Sequence, residues 1–503
     1  MSRRTKGTQK NKKGQRPRKA RGVPRGARYL LGGALILGVL LAAFTRFESY
    51  ESLYDAEYVG SETCGECHTI IFDRWQESPH AKMVREVSPE AMVGNFVDGS
   101  YTPPPEAWVY PEDSEIPAAI MYTQEGRYVM AIRKPGTRQY IPFTVYFVVG
   151  YQYRQEYLTL ETGGVLRRLP IQWSVERQEF FPYWNVQENS LPTLDDLWVQ
   201  MTVLNSAWNL FCARCHTTHL VINDKNDNHT YADAEWTDLG IACEACHGPG
   251  SQHANYFAHN YVNRIAAFLN SKLRGEPVAY VANAPKLSRG EDLSVCARCH
   301  GADIMMSMQD IYRTYEPGYS REGRTNDISQ YFQAVPLTPG RTDATVEVYN
   351  DGTPKGIGML FRSFIESDHY TLTNMRCYDC HDPHSNKEPM AAGLLEPSAA
   401  SNDYCMTCHA ALRGQEAEHS FHEAGTSGAF CFDCHAPHRI QNLASGVWNM
   451  TRTHNFSYIP NPADSITYGL ANSPNACNEC HADQTAAWAL EKMLEWWGEP
   501  EGG

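Results

Sequence analysis

One five-residue phrase governs what this chain can become: Cys-X-X-Cys-His occurs eight times, and the eight copies use all sixteen cysteines. In chain order they are Cys64-Cys67-His68 (motif 1), Cys212-Cys215-His216 (motif 2), Cys243-Cys246-His247 (motif 3), Cys296-Cys299-His300 (motif 4), Cys377-Cys380-His381 (motif 5), Cys405-Cys408-His409 (motif 6), Cys431-Cys434-His435 (motif 7) and Cys477-Cys480-His481 (motif 8). Random placement of the same residues would give about 0.02 copies, so the repeat is chemistry. Two cysteines three residues apart lie on one side of a helical turn, and the next histidine falls beside them. That is the signature of a c-type haem, stitched on by two thioethers, with the histidine as proximal iron ligand. Zinc sites and redox dithiols also use Cys-X-X-Cys, but neither demands the histidine eight times over. The expected cofactor is eight covalently attached haems c. With every thiol committed to haem, no disulfide framework is expected.

At 42% apolar residues the 503-residue chain is slightly lean for a globular protein, and the porphyrin plates are expected to complete its interior. Without them little stable tertiary structure should remain.

The first 28 residues hold twelve Lys or Arg and no acid, and run into the apolar stretch Tyr29 to Thr45. That order reads as a basic cytoplasmic arm (1–28) followed by a transmembrane anchor or uncleaved signal (29–45). The expectation is a single-pass inner-membrane protein with its haem domain in the periplasm; export after signal cleavage is the alternative. Beyond the arm, 32 basic side chains face 58 acidic ones, a net charge of −26. Such a surface argues against nucleic acid and favours partners with basic faces.

Residues 46–93 read as a linker and haem 1, with a helix through Ile71, Phe72 and Trp75 that stops before Pro79. Residues 94–185 contain no cysteine, and their aromatic and β-branched runs (128–132, 143–149, 157–160, 165–169) read as a small β-rich insertion with a hairpin loop at 161–164. Haems 2–4 occupy 186–300, a second insertion 301–376, haems 5–8 and a closing helix around Trp488, Leu494 and Trp497 occupy 377–497, and 498–503 is a tail. Of the eleven histidines outside the motifs, eight are selected as distal iron ligands: His80, His219, His253, His369, His384, His422, His438 and His454. His419 stands as the alternative to His422, while His229 and His259 read as surface residues. Met305, Met306, Met308 and Met406 read as packing rather than ligands.

The phrases CHTIIFDRWQESPH, CEACHGPGSQH, CYDCHDPHS, CFDCHAPH and THNFSYIPNPADSITYGLANSPNACNECHAD resemble the octahaem cytochromes c of the cytochrome c-552/c-554 group. That group is often fused to tetratricopeptide repeats, which this chain lacks, and shares a haem-packing style with hydroxylamine oxidoreductase and pentahaem nitrite reductase. The resemblance spans residues 58–497. It implies a mainly α fold with extensive loops wrapped around stacked c-type haems, exported and engaged in respiratory electron transfer.

If all eight irons have two histidines, none is open to substrate and the chain is a conductor, exchanging electrons with a redox protein or quinol-oxidising partner, as a homo-oligomer or within a cytochrome assembly. The competing reading is an oxidoreductase with one open haem acting on nitrite, hydroxylamine or sulfite. Motif 4 is the candidate there: no histidine follows His300 until His369, and Arg298, Arg313, Arg321 and Tyr312 are near in sequence.

Overall fold

The computed structural model describes residues 25–44, 56–99, 108–110, 115–175, 177–182, 193–202, 206–258, 281–284, 287–301, 339–340, 342–343, 346–356, 359–385, 402–440, 451–456 and 461–498, with short pieces at 264–265, 268–269 and 272–273. His259, Met305, Met306, Met308, Tyr312, Arg313 and Arg321 lie outside these residues.

The largest organised unit is built from eleven strands. They are β1 (Val84–Glu86), β2 (Val97–Asp98), β3 (Trp108–Val109), β4 (Ala119–Gln124), β5 (Arg127–Arg133), β6 (Tyr140–Thr144), β7 (Phe147–Val149), β8 (Arg154–Leu160), β9 (Leu166–Arg168), β10 (Ile171–Ser174) and β11 (Glu179–Pro182). One sheet runs β1-β7-β8-β10-β11 with β9 beside β8; the other runs β2-β4-β5-β6 with β3 beside β4. Between β4 and β5, Glu125 and Gly126 both take positive φ, 50° and 75°. That is the two-residue turn whose twist suits a right-handed hairpin, and it sets the register Met121 opposite Met130.

Alternation along β8 explains why this sheet is buried on both faces. Tyr157 points into a core with Met121, Met130, Ile132, Ile171, Trp173 and the helix Leu194–Thr202. Its neighbour Leu158 points the other way, with Leu166, onto Trp208 and Ala213 beside motif 2. The sheet thus forms the wall behind one haem-attachment site. The loop joining β8 and β9 closes at 161–164, where Gly164 has φ +81° and a side chain would meet the Ala232 carbonyl at 2.6 Å.

The expectation of a mainly α fold with a small β-rich insertion is overturned: the protein is mixed, with eleven strands in these two sheets and eight more in four two-stranded sheets among the described residues. The physical reason lies in the motifs. Most are held by a single turn, such as Cys243–His247 or Cys431–His435, and motifs 5 and 6 by the 3-10 turns Cys377–Asp379 and Cys405–Thr407. Haem attachment requires only that turn, so haem density adds little helix. Motif 4 is the exception, ending the twelve-residue helix Arg289–His300, which starts with Ser288 and Glu291 capping each other's backbone.

The membrane anchor is corrected as well. Arg25–Phe44 is helical, yet among the described residues no helix is long and apolar enough to cross a membrane. Three glycines, Gly32, Gly33 and Gly38, dilute its apolar stretch. A 17-residue run rises about 25 Å against a hydrocarbon layer of about 30 Å.

Ile132 is fully buried in the sandwich core. Ile132→Ala should cost about 2–5 kcal/mol of unfolding free energy, measured by denaturant titration with far-ultraviolet circular dichroism, while the haem absorption spectrum stays unchanged.

Candidate haem centres

The attachment turns are closed by backbone bonds from the histidine to the first cysteine. His68, His381, His409 and His481 each donate their N–H to the carbonyl four residues back, that of Cys64, Cys377, Cys405 and Cys477, at 2.9 Å in every case. This fixes both thiols and the imidazole on one side of the turn.

Seven of the eight motif histidines face a second imidazole. Ring centres are separated by 6.1 Å for His68 and His253, 6.2 Å for His247 and His384, and 6.5 Å for His80 and His300. They lie 6.0 Å apart for His381 with His454 and for His369 with His409, and 6.3 Å apart for His419 with His435 and for His422 with His481. Two imidazoles bound through nitrogen to one metal at about 2.0–2.1 Å, each ring centre about 1.1 Å behind its nitrogen, would stand about 6.3 Å apart. The gaps therefore fit an iron between two histidines.

The second ring nitrogens agree with this. Nδ1 of His247 lies 2.7 Å from the Ala282 carbonyl, that of His422 2.6 Å from Ser420 O, and that of His454 3.2 Å from Arg452 O. An Nδ1–H donated to a carbonyl leaves Nε2 as the ligating nitrogen. Loss of hydration also pushes the His216 and His300 imidazoles down to about 4, holding them in the neutral form that binds metal. Among the described residues, no group of three or more His, Cys, Asp or Glu gathers as a metal-ion site.

Two family profiles match the chain: the doubled CXXCH motif over residues 369–414, and cytochrome c554 and c-prime over residues 63–99 and 196–248. A 206-residue stretch is 27% identical to the multiheme cytochrome MtrA of Shewanella baltica (strain OS185). The chain is a multihaem cytochrome of the c type. The stretch shared with MtrA covers 40% of this cytochrome and 53% of the relative, so the match spans about half the relative's length. Among solved structures, the outer cell wall cytochrome OcwA aligns over 87% of this chain and 86% of its own, with TM-score 0.49 and 18% identity. The undecaheme cytochrome from the S-layer of Carboxydothermus ferrireducens aligns over 88% and 62%, with TM-score 0.35 and 16% identity.

The cytochrome's attachment turns touch one another in a definite order. Thiols of motifs 1 and 3 meet through Cys64 and Cys243, motifs 2 and 4 through Cys215 and Cys299, motifs 4 and 5 through Cys296 and Cys377, and motifs 6 and 7 through Cys405 and Cys431. These sulfurs stand where thioether sulfurs would be. Cys246 lies within electrostatic range of Cys299, joining motifs 3 and 4, and Cys434 within range of Cys477, joining motifs 7 and 8. Between motifs 5 and 6, the Tyr404 hydroxyl lies 2.6 Å from Cys380 Sγ. These neighbour relations, by contact or at longer electrostatic range, trace a line 1-3-4-5-6-7-8, with motif 2 attached at motif 4.

Two sequence-based selections, His219 and His438, are not brought opposite a motif histidine. His219 has φ +55°, which swings it away from His216; its ring stacks on Tyr58 at 3.8 Å and Nδ1 lies 3.0 Å from Thr237 Oγ1. His438, on the strand His438–Ile440, is held by Glu479 with Nδ1 to Oε1 2.5 Å. His419 and His422 are both used rather than one of them. Phe421 between them has φ +57°, so the two rings diverge to motifs 7 and 8. The signal was present in the sequence as two histidines ahead of two consecutive motifs. Motif 4, singled out for its long histidine-free stretch, faces His80, which lies 220 positions earlier in the chain. The motif histidine that faces no other imidazole, among the described residues, is His216; Trp208 stands edge-on to it at 6.2 Å.

Gly428 has φ +89°, and a Cβ there would lie 2.6 Å from Cδ2 of His422. Gly428→Ala should displace that ring. The expected result is conversion of one low-spin ferric signal to high-spin in electron paramagnetic resonance, at unchanged haem content by pyridine haemochrome assay.

Proposed function

We propose that this cytochrome carries eight haems c and conducts electrons along them in a respiratory chain, with histidine as both axial ligands at every motif but the second. The observation that carries this reading is the set of seven imidazole pairs spaced for a shared iron. An iron bound by two histidines has no vacant position for substrate and exchanges electrons with little rearrangement. Such ligation without methionine also favours low potentials, which suits quinol-linked or anaerobic pathways. The surplus of acid beyond the basic arm, 58 acidic against 32 basic side chains, fits redox partners that present basic faces. Contact between neighbouring attachment turns supports hopping along the line of motifs.

A second reading, chemistry on a small nitrogen or sulfur compound, is favoured by one observation: His216 has no facing histidine among the described residues. Motif 2 replaces motif 4 as the site for it.

Intact-mass measurement should show eight haems added to the chain, and electron paramagnetic resonance of the oxidised protein should show seven low-spin irons and one high-spin. Fewer than seven low-spin irons would sink the proposed ligand set. Nitrite, hydroxylamine or sulfite should leave the high-spin signal unmoved if conduction is the whole function; a shift with turnover would establish the second reading.

A further inference from the structure

The two residues between the cysteines of each motif carry a charge pattern. Motifs 1, 3, 5, 7 and 8 place an acid there, Glu66, Glu244, Asp379, Asp433 and Glu479; motifs 2 and 4 place Arg214 and Arg298; motif 6 has neither.

The packing around the turns extends this pattern. Glu244 and Asp238 both act on Cys64 of motif 1, and Asp238 accepts the Ser61 hydroxyl at 2.6 Å. At motif 5, Asp292 and Asp379 act on Cys377 and Cys380, with Arg376 paired to Asp292 at 3.1 Å. At motif 8, Glu479 and Asp433 act on Cys480, with Arg452 paired to Asp433 at 2.8 Å. At motif 2 the described arginines outnumber the acid that faces them. On the strands behind it Arg154 and Arg168 flank Glu156 at 3.3 and 3.8 Å, and all three act on Cys212 and His216. Arg168 and Glu156 side chains are each only 8% exposed, and Nη1 of Arg154 is enclosed with no hydrogen-bond partner among the described residues. Counting Arg214, the charges here among the described residues are three arginines and one glutamate.

The haem held at each motif supplies a ferric/ferrous couple that accepts one electron and passes it on, with no bond made or broken. A cation in a low-dielectric interior favours the electron-rich ferrous form, and an anion disfavours it. At about 10 Å and an effective dielectric of about 20, one unit charge alters electron occupancy on the order of ten-fold.

We propose that Arg154, Arg168 and Arg214 make motif 2 an electron sink, so that electrons delivered by a redox protein at motif 1 or motif 8 run inward and collect there. The inference deepens the conduction reading and rests on it.

Equilibrium redox titration of the full haem-loaded chain, followed by absorbance and electron paramagnetic resonance, tests it. The high-spin signal assigned to motif 2 should be the first lost on reduction. Arg214 lies on the attachment turn, outside the buried Arg154–Glu156–Arg168 cluster. In Arg214→Glu the electron occupancy of motif 2 should fall at least ten-fold relative to the other centres, and Arg214→Lys should restore it; Arg154→Gln should act in the same direction as Arg214→Glu. A high-spin signal reduced with or after the low-spin centres, or left in place by both Arg214→Glu and Arg154→Gln, would overturn the sink. Full haem content and complete reduction in those variants would leave conduction standing. Were all iron low-spin, the component displaced by Arg214→Glu must still be the first reduced; displacement of any other component overturns the proposal.

Discussion

The fold depends on the gap between two imidazoles. Each of the seven facing pairs joins residues that the backbone does not hold together, and the spacing fits an iron as the joining atom. Under the proposed ligation, coordination would take the place that a continuous apolar core has in ordinary domains. Beyond the β-sandwich, the hydrophobic clusters are small, such as Leu293, Ala297, Phe361 and Phe364 beside motif 4. Backbone precision follows from this dependence. Gly240, at φ +75°, sits against the carbonyls of His80 and Ala81, closer than a side chain would allow, and Ile241 N–H donates to His80 O at 3.0 Å. The segment linking motifs 2 and 3 thereby places the imidazole that faces motif 4.

Among the described residues the sandwich has the largest apolar interior, and its position gives that interior a second use. Strand β8 sends Tyr157 into the core and Leu158 toward motif 2. The face bearing Arg154 and Glu156 is the same one that carries Leu158. Alternate residues of β8 thus supply part of both the packing and the charge at this attachment turn, and both faces of the sheet are covered.

Legibility in the sequence tracked how local each constraint is. The attachment sites were readable because covalent chemistry fixes five consecutive residues. Partner histidines were readable only in part. His384 and His438 follow their motif histidines at the same spacing, through Asp-Pro and Ala-Pro, yet His384 faces His247 while His438 is captured by Glu479, 41 positions on. Nothing local distinguishes them. The strands within 128–169 were visible from their aromatic and β-branched runs, but their closure into two stacked sheets depends on pairings such as β1 with β7, which lie far apart in the chain. The mainly α expectation came with the family resemblance, and it missed that one short turn suffices at an attachment site, which leaves the chain between motifs free to form sheet. The anchor expectation rested on an apolar stretch at the lower limit of length.

The pattern of facing pairs divides the chain unevenly. Motifs 5 to 8 draw their opposite imidazoles, His454, His369, His419 and His422, from within residues 369–481. Motifs 1 and 4 draw theirs from His253 and His80, and only motif 3 reaches across, to His384. The C-terminal third thus draws its facing imidazoles from within itself but not its packing: Arg439 and Ser473 are held by Asp351, and Arg376 by Asp292, so the segments ahead of residue 369 brace the turns that follow it.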